Sequence, residues 1–185
     1  MKRFQRECPA FSLCGLNCLL CPMHIGGWCP GCGGGEGNQG CPRARCARER
    51  NILDFCCRCE RYPCELYEGM GEYDSFVPTR RVSADLDRAR EIGLEAYVRE
   101  LEEKRAILEL LLKEWNDGRK KGFYTVAVYL LELEDLRCAV RQVTSLVTKE
   151  LPQKERAARM TAALQEIAGQ RGIVLKLNKK TKEKK

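Results

Sequence analysis

Histidine is nearly missing from this chain: His24 is the only one among 185 residues. Any metal site must therefore be essentially all-thiolate. Long apolar runs are missing too. The best, Ile107 to Leu112, is broken by Glu109 and falls well short of the roughly 18 residues a membrane span needs. The basic start Met1-Lys2-Arg3 is followed by no apolar stretch and no small-residue cleavage site, so no signal peptide is expected. The thiols are then expected to meet a reducing cytosol, where they serve better as ligands than as disulfides. Aliphatic residues are scarce between residues 8 and 64. That segment is expected to lack a core of its own and to draw its folding energy from bound metal.

Cysteine is abundant instead. There are thirteen, and twelve lie between Cys8 and Cys64; only Cys138 stands apart. The odd total fits complete disulfide pairing poorly. The net charge of +7 is uneven, with +4 over residues 1–64, −2 over 65–175 and +5 over 176–185. The Lys-rich end reads as a solvated tail, with a weak contact to nucleic acid or another polyanion as the alternative.

Four parts follow from composition: a Cys-rich module over 8–68, a connector over 69–82 with Gly69, Gly71 and Pro78, a helical region over 83–177, and a Lys-rich tail over 178–185. In the helical region Ser83 is the expected N-cap of a short first helix that Gly93 interrupts. Leu94, Val98, Leu101, Leu108, Leu112 and Trp115 form one amphipathic stripe, interrupted by Arg105. Asn116-Asp117-Gly118 ends that helix. Val126, Leu130, Leu133, Leu136, Val140, Val143 and Val147 predict a single second helix, antiparallel to the first. Pro152 opens a third, with Ala157, Met160, Leu164 and Ile167 inward and Gly169 and Gly172 at its close. Ile173 to Leu177 alternates like a lone strand. The expected fold is mostly α: a small irregular Cys-rich metal-binding module followed by an α-helical C-terminal region.

The spacing of the thiols favours metal. Cys14, Cys18 and Cys21, separated by three and then two residues, can converge on one centre. Radical S-adenosylmethionine enzymes use the same tripartite spacing, but they need alternating strands and helices, which this chain lacks. Cys29-Pro30-Gly31-Cys32-Gly33 is a metal knuckle, whose glycines let backbone N–H groups turn toward sulfur. Cys41 and Cys46 follow, and then Cys56, Cys57, Cys59 and Cys64. Proline follows Cys8, Cys21, Cys29 and Cys41, as it does ligand cysteines in ferredoxins and some zinc knuckles. The glycine-rich stretch 33–40 has no preceding strand and no Lys-Ser/Thr, so it reads as a flexible connector and not a phosphate loop.

These segments, Cys14 to Cys21, Cys29 to Cys32, Cys46 to Glu49 and Cys56 to Cys64, resemble the cysteine-rich prokaryotic family catalogued as domain of unknown function 3795. The resemblance is close over about residues 12–68 and looser beyond. It implies a metal-binding module without an established activity. On that match the candidate ligands are Cys14, Cys18, Cys21, Cys29, Cys32, Cys41, Cys46, Cys56, Cys59 and Cys64. His24 and Cys57 are further candidates, with a loop hydrogen bond the expected role of His24 and packing that of Cys57.

Soft thiolate shells suit zinc and iron–sulfur clusters. An iron–sulfur centre is slightly favoured, by the Cys14 unit and the Cys-Pro pairs. The functional expectation is a cytoplasmic metal-thiolate protein with one or two iron–sulfur or zinc centres, exchanging electrons with a protein partner. The alternative is a structural zinc module that mediates protein or nucleic-acid contacts through Arg43, Arg45, Arg48 and Arg50. No general base is assignable for an enzyme. Cys138 is expected to be buried and inert, Glu132, Glu134 and Asp135 to form a solvated helix face, and Trp28 and Trp115 to anchor a core or an interface.

Overall fold

The computed structural model describes residues 4–35, 40–52, 54–147 and 150–180. The glycine-rich connector between the knuckle and Cys41 lies partly outside these residues, as does the end of the tail. Among the described residues there are seven α-helices and no strand: α1 Pro22–Ile25, α2 Pro42–Glu49, α3 Val82–Ile92, α4 Leu94–Glu114, α5 Lys121–Leu130, α6 Leu133–Leu146 and α7 Gln153–Gln170. Short 3₁₀ turns at Cys18–Leu20, Cys56–Arg58 and Glu65–Tyr67 punctuate the Cys-rich part. The fold is thus mostly helical, with an irregular Cys-rich segment ahead of a helical region. None of the helices is long and apolar enough to cross a membrane.

The chain forms two compact units. The first comprises residues 1–101 and 178–185, and the second residues 102–177.

In the first unit the Cys-rich segment hides more apolar surface than its composition suggests. Phe11, Leu13 and Leu20 are essentially inaccessible to solvent. Phe11 stacks at 5.2 Å from Phe55 and 4.8 Å from Tyr97. The last of these lies on α4, so aromatic packing joins the irregular segment to a regular helix. A second cluster of Phe4, Leu13, Ala44 and Ala47 takes Cys32, Cys41 and Cys56 against its edge. The expectation of a segment without a core is therefore corrected: the core exists, and α3 and the start of α4 supply part of it. A buried polar chain completes the joint. Asn17 donates to Asp85 of α3 (2.9 Å) and accepts from the Tyr97 hydroxyl (3.0 Å), so each buried polar group has a partner.

Helix α3 begins at Val82, with Arg81 before it and no side-chain cap. Ser83 is inside the helix and exposed, because burial of Val82 fixes the start two residues earlier than the capping chemistry suggests. Gly93, at φ 85°, separates α3 from α4. The inner positions of α4 are Tyr97, Leu101, Lys104, Ile107, Leu108, Leu111 and Trp115; Leu94, Val98 and Leu112 of the expected stripe are only half-buried.

The second unit corrects the expected long second helix. It is two helices, broken at Leu131 and Glu132, which are both extended. Buried Lys104 donates to the Leu131 carbonyl at the break (2.7 Å). Tyr124 to Leu131 are all buried, so α5 is enclosed on every side from Tyr124 onward. Tyr124 donates to the Trp115 carbonyl (2.8 Å), and Arg156 lies over the Trp115 ring. Helices α6 and α7 pack along each other. The inner face of α6 carries Asp135, Leu136, Ala139 and Val143.

Two expectations fail on α6. Cys138 is exposed, since the inner face passes through its neighbours Leu136 and Ala139. Asp135 is buried and paired with Arg171 at 2.8 Å, whereas Glu132 and Glu134 are on the solvated side. After α7, Gly172 takes φ 66° and Ile173 N–H bonds the Ala168 carbonyl, a left-handed helix stop. The stretch from Ile173 to Leu177 is not a strand and has no partner strand. In the first unit Asn178 ties the chain end to the connector: Asp74 N–H bonds its carbonyl, and its own N–H bonds the Asp74 carboxylate, both at 2.7 Å.

Candidate metal centres

Nine of the ten candidate cysteines sort into two sets around separate internal spaces. Cys14, Cys18, Cys29, Cys32 and Cys41 line one, of about 180 Å³. Cys46, Cys56, Cys59 and Cys64 line the other, of about 30 Å³. Cys21 lines neither. It caps the 3₁₀ turn that follows Cys18 and leads into α1.

Helix α2 stands between the sets, and its geometry explains the division. Pro42 is its first residue, suited to a position whose N–H would be unpaired. Cys41 immediately before it and Ala44 face the five-thiol space. Arg43, Cys46, Ala47 and Arg50, at steps of three, one and three, face the four-thiol space. Those steps describe one stripe of a helix.

The five-thiol set is held by tight turns. Ser12 accepts from the Leu16 N–H (2.7 Å) and lies 3.2 Å from the Cys14 sulfur. Gly31 and Gly33 have φ of 85° and 80°, the left-handed turn expected of a knuckle. The Cys32 backbone N–H donates to the Cys18 sulfur, and the Leu13 N–H to the Cys32 sulfur. Arg6 fastens three stretches at once, donating to the carbonyls of Phe11 (2.8 Å), Cys8 (3.0 Å) and Asp54 (2.8 Å). His24 is a loop hydrogen-bonder: its Nδ1 is 2.9 Å from the Cys29 carbonyl.

The four-thiol set has an aromatic wall. Tyr62 and Tyr67 meet edge to face at 5.0 Å, and Arg43 lies over Tyr67 while bonding the Leu66 carbonyl. The Tyr67 hydroxyl donates to the Cys14 carbonyl (3.3 Å) and sits against the Cys56 thiol. One side chain thus touches a cysteine of each set. Two donors on residues lining this space, the Tyr62 hydroxyl and Arg43 Nε, are buried with no hydrogen-bond partner among the described residues.

Burial pushes the Cys18 thiol up to about 12, against the Cys32 N–H and with the neighbouring thiols adding to the rise. It does the same to Cys56, also to about 12, against the Tyr67 hydroxyl. Cys32 and Cys57 are raised too, chiefly by burial. A thiolate at these positions needs a cation to offset its desolvation. Both folded values lie above the ordinary 9.0, so the unfolded chain gives up these protons first. In the metal-free chain the contribution of these two thiols to stability should be complete below pH 9 and fall away as pH rises toward 12. A series of urea midpoints across that range checks it; a flat profile would contradict the burial of these thiols.

Among the described residues, no three His, Cys, Asp or Glu side chains gather tightly enough to hold one metal ion. A tetrahedral zinc about 2.3 Å from each ligand draws its sulfurs to about 3.8 Å from one another. Here the thiols line spaces and do not meet at a point. The donor chemistry is that of soft-metal ligands, but the thiols are not gathered around one point.

Tyr62, Tyr67, Arg43, Arg6 and Ser12 are the site residues that thiol spacing misses. Only the positions of Arg43, three residues before Cys46, and of Tyr67, three after Cys64, hint at a shared face. No protein-family model matches this chain, and neither the curated proteins nor the solved structures offer a match.

Proposed function

We propose that this chain is a cytoplasmic metal-thiolate protein with two neighbouring centres in its first unit, iron–sulfur in preference to zinc, serving electron exchange with a protein partner. The observation that carries the reading is the division of nine thiols into two sets, five and four, on either side of α2. Cys14, Cys18, Cys29, Cys32 and Cys41 would supply the ligands of one centre, and Cys46, Cys56, Cys59 and Cys64 those of the other. Iron–sulfur clusters bound there would supply one-electron chemistry. The protein's part is to keep water away, to direct N–H and O–H groups at sulfur, and to hold the two sets side by side through Tyr67. The resemblance to domain of unknown function 3795 supports a metal-binding role.

The second reading is a structural zinc module that contacts nucleic acid or an acidic protein. It rests on the exposed Arg45 and Arg48 of α2 and Arg50 just after it, the last of which lines the four-thiol space. Protein purified without oxygen separates the two. Iron with acid-labile sulfide and broad visible absorption is the expected result. Colourless protein with stoichiometric zinc would favour the structural module, and protein with no transition metal would end both.

A further inference from the structure

The connector carries an exposed aromatic pair outside both sets of thiols. Tyr73 and Phe76 are 49% and 59% exposed, whereas Val77 beside them is buried. The loop that presents the rings is held firmly. The enclosed Asp74 carboxylate accepts from the Thr79 N–H (2.7 Å), from Arg80 (3.1 Å) and from the Asn178 N–H (2.7 Å). The Thr79 hydroxyl reaches back to the Tyr73 carbonyl (3.1 Å). Two large rings kept in water by a bonded loop mark a contact surface. The same carboxylate roots the Lys-rich tail, and Lys180 then sets its Nζ 5.7 Å from the centre of the Tyr73 ring. Lys179 and Lys180 are exposed. The sequence goes on with Lys182, Lys184 and Lys185, and Glu183 is the one acidic residue among them. Across residues 71–80 the one exposed carboxylate residue is Glu72, whose side chain turns back toward Gly69. Cations beside open ring faces match a string of phosphates that carries unpaired bases: the rings stack on bases and the ammonium groups meet phosphates. A double helix keeps its bases stacked inside and offers these rings nothing.

We infer that Tyr73, Phe76, Lys179 and Lys180 form a contact surface for single-stranded nucleic acid, bound without base-specific readout. The surface is independent of the metal-thiolate reading and uses none of the α2 arginines.

The full chain, with whatever metal it carries on isolation, is titrated into a fluorescent oligothymidine of about 20 nucleotides, long enough for one such site. A duplex of equal length and vesicles containing phosphatidylserine are titrated alongside. The single strand should bind tightest. Tyr73→Ala and Phe76→Ala should each weaken it at least about fivefold, with the salt dependence kept, and Phe76→Trp should retain it. Deleting residues 179–185 should flatten the slope of log affinity against log salt by about 3, at about 0.7 for each lysine paired with a phosphate. Thermal midpoints should match the wild type, since these side chains are exposed. Equal binding of strand and duplex, indifferent to both ring substitutions, would overturn the inference and leave only a contact between lysines and any polyanion. Binding to the vesicles alone would overturn it in favour of a lipid surface. Binding lost on Arg45→Ala with Arg48→Ala, and unmoved by the ring and tail variants, would place the contact on α2 and support the zinc-module reading instead. Binding to none of the three probes at low salt would overturn it outright while leaving the metal centres untouched.

Discussion

Replacing Phe11 with alanine should destabilise the first unit by about 3–5 kcal/mol, with metal or without it. The ring is fully buried, and it stacks on Phe55 and Tyr97. Its removal forfeits apolar burial, leaves a cavity and breaks two aromatic contacts. A domain's whole stability is about 5–15 kcal/mol, so the loss is large enough to unfold a metal-free unit at modest denaturant. Titration of the metal-free chain with urea, followed by the reactivity of its thiols, reports on this unit because Cys14 is buried in the native form. The expected result is a midpoint well below that of the wild type. Equal midpoints would mean that the Cys-rich segment has no apolar core independent of metal.

That result matters because composition points the other way. A stretch with so few aliphatic residues reads as a segment folded by metal alone. The partners of Phe11 explain why composition misleads. Phe55 lies 44 residues away and Tyr97 86 residues away, so the contact leaves no periodic trace in the local sequence. The buried set Asn17, Asp85 and Tyr97 is equally silent, since its members lie 68 and 12 residues apart.

The regular parts were legible wherever one face of a helix is apolar and the other is not. α4 and α7 follow from their periodicity, and the glycines at 93 and 172 mark real turns. α5 and α6 defeat the same method. The apolar steps through Leu130, Leu133 and Leu136 continue across the break, and neither Gly nor Pro marks it. The cause is tertiary: Lys104, 27 residues earlier, bonds the Leu131 carbonyl. The one local sign is that Tyr124 to Leu131 contains no charged residue, as in a helix buried on all sides. Among the candidate ligands, spacing singles out residues but does not say how they group. The Cys29 and Cys32 pair joins Cys41, across a connector, whereas Cys46 parts from Cys41 and joins Cys56, Cys59 and Cys64. α2 imposes that exchange, because residues five apart on a helix point away from each other.

Gly15→Ala should be as damaging as Phe11→Ala, by a different route. Gly15 follows Cys14 and has φ 94°, a conformation that costs an L-residue about 1–3 kcal/mol. A methyl group there would also stand 2.6 Å from the Val82 carbonyl and 2.8 Å from Leu86 Cγ. The carbonyl is backbone at the start of α3 and cannot rotate away, so the loop or the helix must move. Movement stretches the Asn17–Asp85 hydrogen bond and displaces Cys14 and Cys18 together, since the same loop carries both. The combined cost should be about 3–5 kcal/mol, within the range of the most disruptive single substitutions. Gly27→Ala is the control. Gly27 has φ 75°, but a methyl group there meets nothing within 4 Å, so only the backbone term applies. Metal and sulfide analysis then separates the two centres: Gly15→Ala should lose loading at the five-thiol set and retain it at Cys46, Cys56, Cys59 and Cys64, while Gly27→Ala should retain both. Equal effects of the two substitutions would show that backbone conformation, and not the seating of this loop against α3, holds the first set of thiols in place.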